Sequence, residues 1–127
     1  MIDGGGYRKL EIYQMAHDVA VRIHKLSLML PQYELYETGS QMRRSSKSIS
    51  ANIVEGYGRR RYKAEFIRFL TYAQASCYES MEWLDYVNAC HESVARDFTG
   101  LSQELDDLAK KLNRFIESVE AQHRSAK

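Results

Sequence analysis

Asn52 and Glu55 stand three residues apart, a spacing that brings an amide and a carboxylate onto neighbouring turns of one helix. A general base held by a hydrogen-bonding partner has this form. A buried polar pair that fixes how two helices register has the same form. The sequence offers neither nucleophile nor substrate pocket beside the pair, so the structural role is the reading taken. Helix-borne di-iron chemistry needs two Glu-x-x-His pairs and two further inward glutamates. Only Glu120 and His123 have that spacing, whereas His17, His24 and His91 have no glutamate three residues earlier. Zinc spacing of the Cys-x₂₋₄-Cys type is missing, as are a phosphate-binding glycine loop and a nucleophile elbow. These residues point to a protein that is not an enzyme, with no catalytic residues, metal, cofactor or small-molecule substrate.

The remaining polar chemistry is cationic. From Arg43 to Arg68, eight bases (Arg43, Arg44, Lys47, Arg59, Arg60, Arg61, Lys63 and Arg68) face only Glu55 and Glu65, a local charge of +6. From Glu79 to Asp107, eight acids face only Arg96, a local charge of −7. The whole chain nevertheless carries only +1, from 18 Lys and Arg against 17 Asp and Glu. Total charge therefore argues for no particular partner. Arginine forks match phosphate geometry, and Tyr57 and Tyr62 beside Arg59-Arg60-Arg61 could stack on unpaired bases. Arg43 and Lys47, four apart, extend the patch along one helix face. One reading makes Arg43, Arg44, Lys47, Arg59, Arg60, Arg61 and Lys63 contacts to RNA or a nucleoprotein. The other makes this a structural or protein-interaction ring with no nucleic-acid role, its arginines meeting acids on a neighbouring subunit.

These residues must be positioned by helices. Pro31 is the single proline, and it ends a first helix running from about Lys9 to Leu30. Within that helix Leu10, Tyr13, Ala16, Ala20, Ile23 and Leu30 share a side. A second helix, capped by Thr38 or Ser40, runs to about Gly56, with Gly56 and Gly58 ending it. Ser45, Ser46 and Ser48 keep its face small for close packing. A third spans about Tyr62 to His91 with the stripe Phe66, Phe69, Leu70, Ala73, Cys77, Leu84 and Val87. A fourth spans about Val94 to Gln122, where Phe98, Leu101, Leu105, Leu108, Leu112, Phe115 and Val119 form a heptad seam. Gly100 interrupts that seam at a tolerable cost of roughly 1 kcal/mol.

No segment alternates as a strand does. Helices with short connectors make an all-α, antiparallel up-and-down four-helix bundle. Residues 1–7 are expected to be a flexible tail, 8–122 the bundle, and 123–127 a frayed end. Cys77 and Cys90 lie about 20 Å apart along the third helix, too far for the roughly 4.4–6.8 Å of a disulfide. They read as reduced, largely buried thiols, consistent with a reducing compartment. No run is long and apolar enough to span a membrane, and the N-terminus lacks a signal segment. The expected location is cytoplasmic.

The first and third helices carry more apolar residues than the roughly 100° stripe a bundle helix needs. Ile12, Met15, Val19, Tyr72, Trp83 and Tyr86 are accordingly candidates for an interface between copies of the chain. The other reading places them in a thicker core or singly on the surface.

One segment of the second helix is distinctive: Gln41-Met42-Arg43-Arg44-Ser45-Ser46, then Ser48-Ile49-Ser50-Ala51-Asn52-Ile53-Val54-Glu55-Gly56. With Tyr7-Arg8-Lys9-Leu10, Ile12-Tyr13-x-x-Ala16 and the later Phe69-Leu70, Ala73, Ser76 and Glu79, it resembles the bacterial proteins encoded in intervening sequences of 23S rRNA genes. The resemblance runs from about Tyr7 to Ile116. Ser50 replaces a proline common in that family, and Ala75 a glycine. The resemblance implies a four-helix bundle and a homo-oligomer, with pentamers known in the family. It assigns structural roles to Ser48, Ile49, Asn52, Ile53, Glu55 and Gly56, and it supplies no catalytic residues. A more distant similarity is to the pentameric accessory protein of diversity-generating retroelements, which binds nucleic acid and a reverse transcriptase.

Overall fold

The computed structural model describes residues 6–122, and among them the fold is all-α, without a strand. A 3-10 turn, Gly6–Lys9, leads into α1, Glu11–Ser27, and then the short α2, Gln32–Leu35. The long α3, Thr38–Gly58, and α4, Lys63–Cys90, follow. A short α5, Glu92–Arg96, precedes α6, Leu101–Gln122. Residues 1–5 and the expected tail 123–127 lie outside the described residues. Gly6 and Tyr7, expected in the N-terminal tail, belong to the 3-10 turn. The Tyr7 ring stands edge-on to Tyr13, with centroids 5.0 Å apart, and to Tyr57 at 6.3 Å.

Each long helix exists because its apolar residues recur every three or four positions and so share a face. In α1 this face is Ile12, Ala16, Val19, Ala20, Ile23 and Leu26, all buried. The helix stops at Ser27, three residues before the expected Leu30. Pro31 sits at the N-cap of α2 with φ −55°, the angle its ring imposes. In α3, Met42, Ser45, Ser46, Ile49, Ile53 and Gly56 are buried. Neither Thr38 nor Ser40 caps it: Glu37 occupies the N-cap without a side-chain bond. Gly56 does not end the helix, which continues to Gly58.

In α4 the buried stripe is Phe66, Leu70, Ala73, Cys77, Ser80, Leu84 and Val87. Phe69, expected in that stripe, is only half-buried. Its ring instead carries the guanidinium of Arg59 at 4.8 Å and the edge of Tyr72.

The expected fourth helix is two. Gly100 has φ +90°, a left-handed backbone that glycine alone adopts readily, and the chain turns there between α5 and α6. Past that turn the seam runs as expected through buried Leu101, Leu105, Leu108, Leu112 and Val119, with Phe115 half-buried.

One apolar cluster draws on all four long helices. A buried Leu or Ile contributes roughly 1.5–3 kcal/mol, while exposed ion pairs contribute about 0–1 kcal/mol. The core therefore holds the fold, and pairs such as Lys111 with Glu11, and Arg22 with Glu104, align α1 with α6.

Candidate functional site

The distinctive segment of α3 faces α4. Ile49 and Ile53 are fully buried core residues. Around them, polar groups join the two helices. Ser45 Oγ and Ser80 Oγ lie 2.9 Å apart, and the Ser76 hydroxyl donates to Ser48 Oγ at 2.9 Å. The Asn52 amide donates to both the carbonyl and the hydroxyl of Ser48, at 2.8 and 2.9 Å. Gly56 lets α4 approach closely: a Cβ there would lie 3.1 Å from Phe69 Cβ and 3.3 Å from the Phe66 carbonyl oxygen.

Asn52 and Glu55 therefore do not form a pair. Asn52 turns back along α3 to Ser48, one turn earlier, and exposed Glu55 bonds Arg59 at 3.2 Å. A hydroxyl–amide chain of this kind clips two helices together. It contains no group that changes charge near neutral pH. Sequence reasoning missed Ser80, because a serine inside an apolar stripe declares its role only once Ser45 is found opposite.

The seven candidate phosphate contacts are not brought together. Arg43 points inward, its half-buried guanidinium donating to the Leu35 carbonyl at 2.8 Å and to Ser27 Oγ at 2.9 Å. It braces the α2–α3 corner and is removed from the surface patch. Arg44 and Lys47 are exposed, but fifteen residues of helix separate Arg44 from Arg59, about 22 Å. Arg59 is neutralised within the chain by Glu55 and by Glu65, both at 3.2 Å. Arg60 lies 3.9 Å over the Tyr57 ring and donates to the Tyr57 carbonyl. Arg61 is exposed. The Lys63 ammonium reaches back to the Glu120 carbonyl at 2.6 Å.

The apolar candidates divide by helix. Ile12 and Val19 are core residues, 4% and 1% exposed, so they are withdrawn as interface residues. Helix α1 packs against both α3 and α6, which widens the arc it must bury. Met15 and Trp83 are half-buried against the core. The tyrosines of α4 are outside: Tyr72 is 45% exposed, Tyr78 56% and Tyr86 51%. Trp83 donates its indole N–H to Glu79 at 3.0 Å and its ring lies beside Tyr86.

The thiols differ as well. Cys77 is buried and donates to the Leu105 carbonyl, and burial, with Asp106 nearby, pushes it up to about 12. Cys90, expected to be largely buried, is exposed. Glu34 and His91 form a nearly buried contact at 2.8 Å that joins α2 to the end of α4. The hydrogen bond from His91 holds the Glu34 carboxyl below its usual value. No local spacing signals this pair, since 57 residues separate its members. Among the described residues no cluster of His, Cys, Asp or Glu could hold a metal ion, and no helix is long and apolar enough to cross a membrane.

The seam at Ser48, Asn52 and Gly56 is built from the segment that resembles a known family, and a family model described as 23S rRNA-intervening sequence protein matches residues 8–114. The chain belongs to that family. No curated protein matches it. In this 23S rRNA-intervening sequence protein, Ile49 and Ile53 fill the core. Ser48 clips α3 to α4 through Ser76 while Asn52 holds Ser48 from within α3, and Gly56 sets the helix spacing. Glu55 differs, since its carboxylate is outside and holds Arg59.

Proposed function

We propose that this member of the family is a non-catalytic assembly subunit, an antiparallel four-helix bundle that associates with further copies of itself. The observation that carries this reading is the exposed tyrosine face of α4. Three large aromatic side chains on one helix, each about half exposed, make a surface suited to a partner.

The antiparallel reading is supported by the cross-helix pairs. Ser45 with Ser80 and Ser48 with Ser76 ascend α3 while descending α4. Gln74 and Cys77, bonded to the carbonyls of Ala109 and Leu105, do the same for α4 and α6. Family resemblance favours a closed ring, with five subunits the first count to test. Light scattering at micromolar concentration should give a mass several times 14.8 kDa. A single species at the mass of one chain would overturn the reading.

RNA contact is a second reading, favoured by the exposed Tyr62 beside Arg60 and Arg61 at the α3–α4 turn. It excludes Arg43, which points inward, and Arg59, whose charge Glu55 and Glu65 offset. Binding of this kind weakens steeply with salt. Arg60→Ala with Arg61→Ala should then lower affinity for single-stranded RNA at least tenfold without changing the assembled mass. Equal affinity in the double variant would remove this reading.

A further inference from the structure

Two surfaces of this chain complement each other without being able to meet within one subunit. On one side, α1 and α3 flank a groove of about 340 Å³ lined by His17, Ala20, Val21, His24, Lys25, Lys47 and Ser50. Its floor is the small, apolar pair Ala20 and Val21, with Val21 40% exposed. Its rims carry the two lysines and the two histidines. Helix α3 contains no Asp or Glu between Glu37 and Glu55. The nearest acid along α1, Asp18, lies 3.3 Å from Arg22, which it shares with Glu104.

The other surface is the outer face of α4. No Lys or Arg occurs between Arg68 and Arg96. Within that span Tyr78, Glu79, Glu82, Asp85 and Tyr86 are all exposed. At 100° per residue, Glu82 lies at the centre of a face flanked by the two tyrosines. From Tyr78 to Tyr86 the helix rises eight residues, about 12 Å. From His17 to Lys25 the groove edge rises the same eight residues.

We infer that the acidic tyrosine face of α4 in one subunit seats in the α1–α3 groove of the next. This rests on the self-association proposed above and assigns its contact surfaces. Matching length, opposite charge and an apolar floor for the tyrosine rings favour a protein helix over a phosphate backbone, which would leave Ala20 and Val21 unused. Because the two surfaces differ, the contact is head-to-tail. Each added subunit leaves one groove and one helix face open until a ring closes.

Charge reversal in the full-length chain tests the pairing. A groove variant, Lys25→Glu with Lys47→Glu, and a face variant, Glu82→Lys with Asp85→Lys, change exposed side chains and should keep native helix content by circular dichroism. Each alone should lose self-association by at least tenfold. Mixed in equal amounts, they should associate with each other where neither associates alone, giving a mixed species heavier than one chain. Each acidic groove then meets a basic face and each basic groove an acidic one. Alternation closes a ring only for an even number of subunits, so the wild-type mass itself is not the readout.

If wild type associates and both variants associate equally well, this pairing is wrong while self-association stands. If wild type is a monomer, both readings fall. If the groove variant loses binding to single-stranded RNA while keeping its mass, the groove serves nucleic acid and the inference is overturned.

Discussion

At the scale of single residues, two glycines at the end of α3 make an internal comparison. Both lie in helix, where alanine is intrinsically favoured by roughly 1 kcal/mol. At Gly58 nothing lies within 4 Å of an added Cβ. Gly58→Ala should therefore stabilise the protein by about 0.4–1 kcal/mol. At Gly56 the added carbon meets Phe69 Cβ and the Phe66 carbonyl, atoms tied to the α4 backbone that cannot swing away. Overpacking of that kind costs roughly 1–3 kcal/mol, so Gly56→Ala should lower the melting temperature while Gly58→Ala raises it. Thermal denaturation of both variants checks this, and a shift of the same sign in both would refute the close-approach role. The cysteines give a second prediction. With Cys77 pushed up to about 12 and buried, almost no thiolate is present at pH 8. A thiol reagent should modify one cysteine per native chain, Cys90, and the second only in denaturant. Peptide mapping that finds Cys77 modified first would contradict the burial.

At the scale of elements, what the sequence revealed was what depends on periodicity alone. The Leu101–Val119 seam reads correctly because each of its residues must be buried whatever lies opposite. A serine and a phenylalanine of α4 mislead. Ser80 is inside where Ser45 lies opposite, and Phe69, packed at its Cβ beside Gly56, is only half-buried with the Arg59 guanidinium over its ring. Excess apolarity in α1 and α4 looked alike in the sequence. Which of the two is inside depends on how many neighbours each helix packs against, and that is a tertiary fact. Gly100 was ambiguous for a different reason: a helix tolerates the residue, but not its positive φ.

The short α2 has no buried residue of its own, so its attachment depends on Arg43 bonding the Leu35 carbonyl and on Glu34 meeting His91. A carboxyl held below its ordinary value of 4.5 by the His91 hydrogen bond binds a proton more readily in the unfolded chain. Its contribution is complete above about pH 4.5 and is lost as pH falls through the lower, folded value. Urea denaturation from pH 6 to 3 should show wild type losing stability more steeply below 4.5 than Glu34→Gln. Parallel curves would mean that the contact contributes nothing to the acid limb.

At the scale of the whole molecule, the self-association proposed for the exposed face of α4 would make stability a property of concentration as well as sequence. An isolated subunit leaves Tyr72, Tyr78 and Tyr86 about half in water, and substituting such surface residues shifts stability by only about 0.5 kcal/mol each. Assembly changes this, because a partner that binds the folded chain and not the unfolded one stabilises it by mass action. Raising protein a hundredfold above the dissociation constant adds about 2.7 kcal/mol, on the order of 10 °C in melting temperature for a chain of this size. Wild type should therefore melt progressively higher from about 1 to 100 μM. A variant carrying Tyr72→Ser, Tyr78→Ser and Tyr86→Ser should melt near the dilute wild-type value at every concentration, because it keeps the core and lacks only the face. The comparison separates two roles that a single measurement would confuse. If the tyrosines only thicken the core, the triple variant melts lower by the same amount at all concentrations. If they form the contact between subunits, the two curves converge on dilution and part as concentration rises.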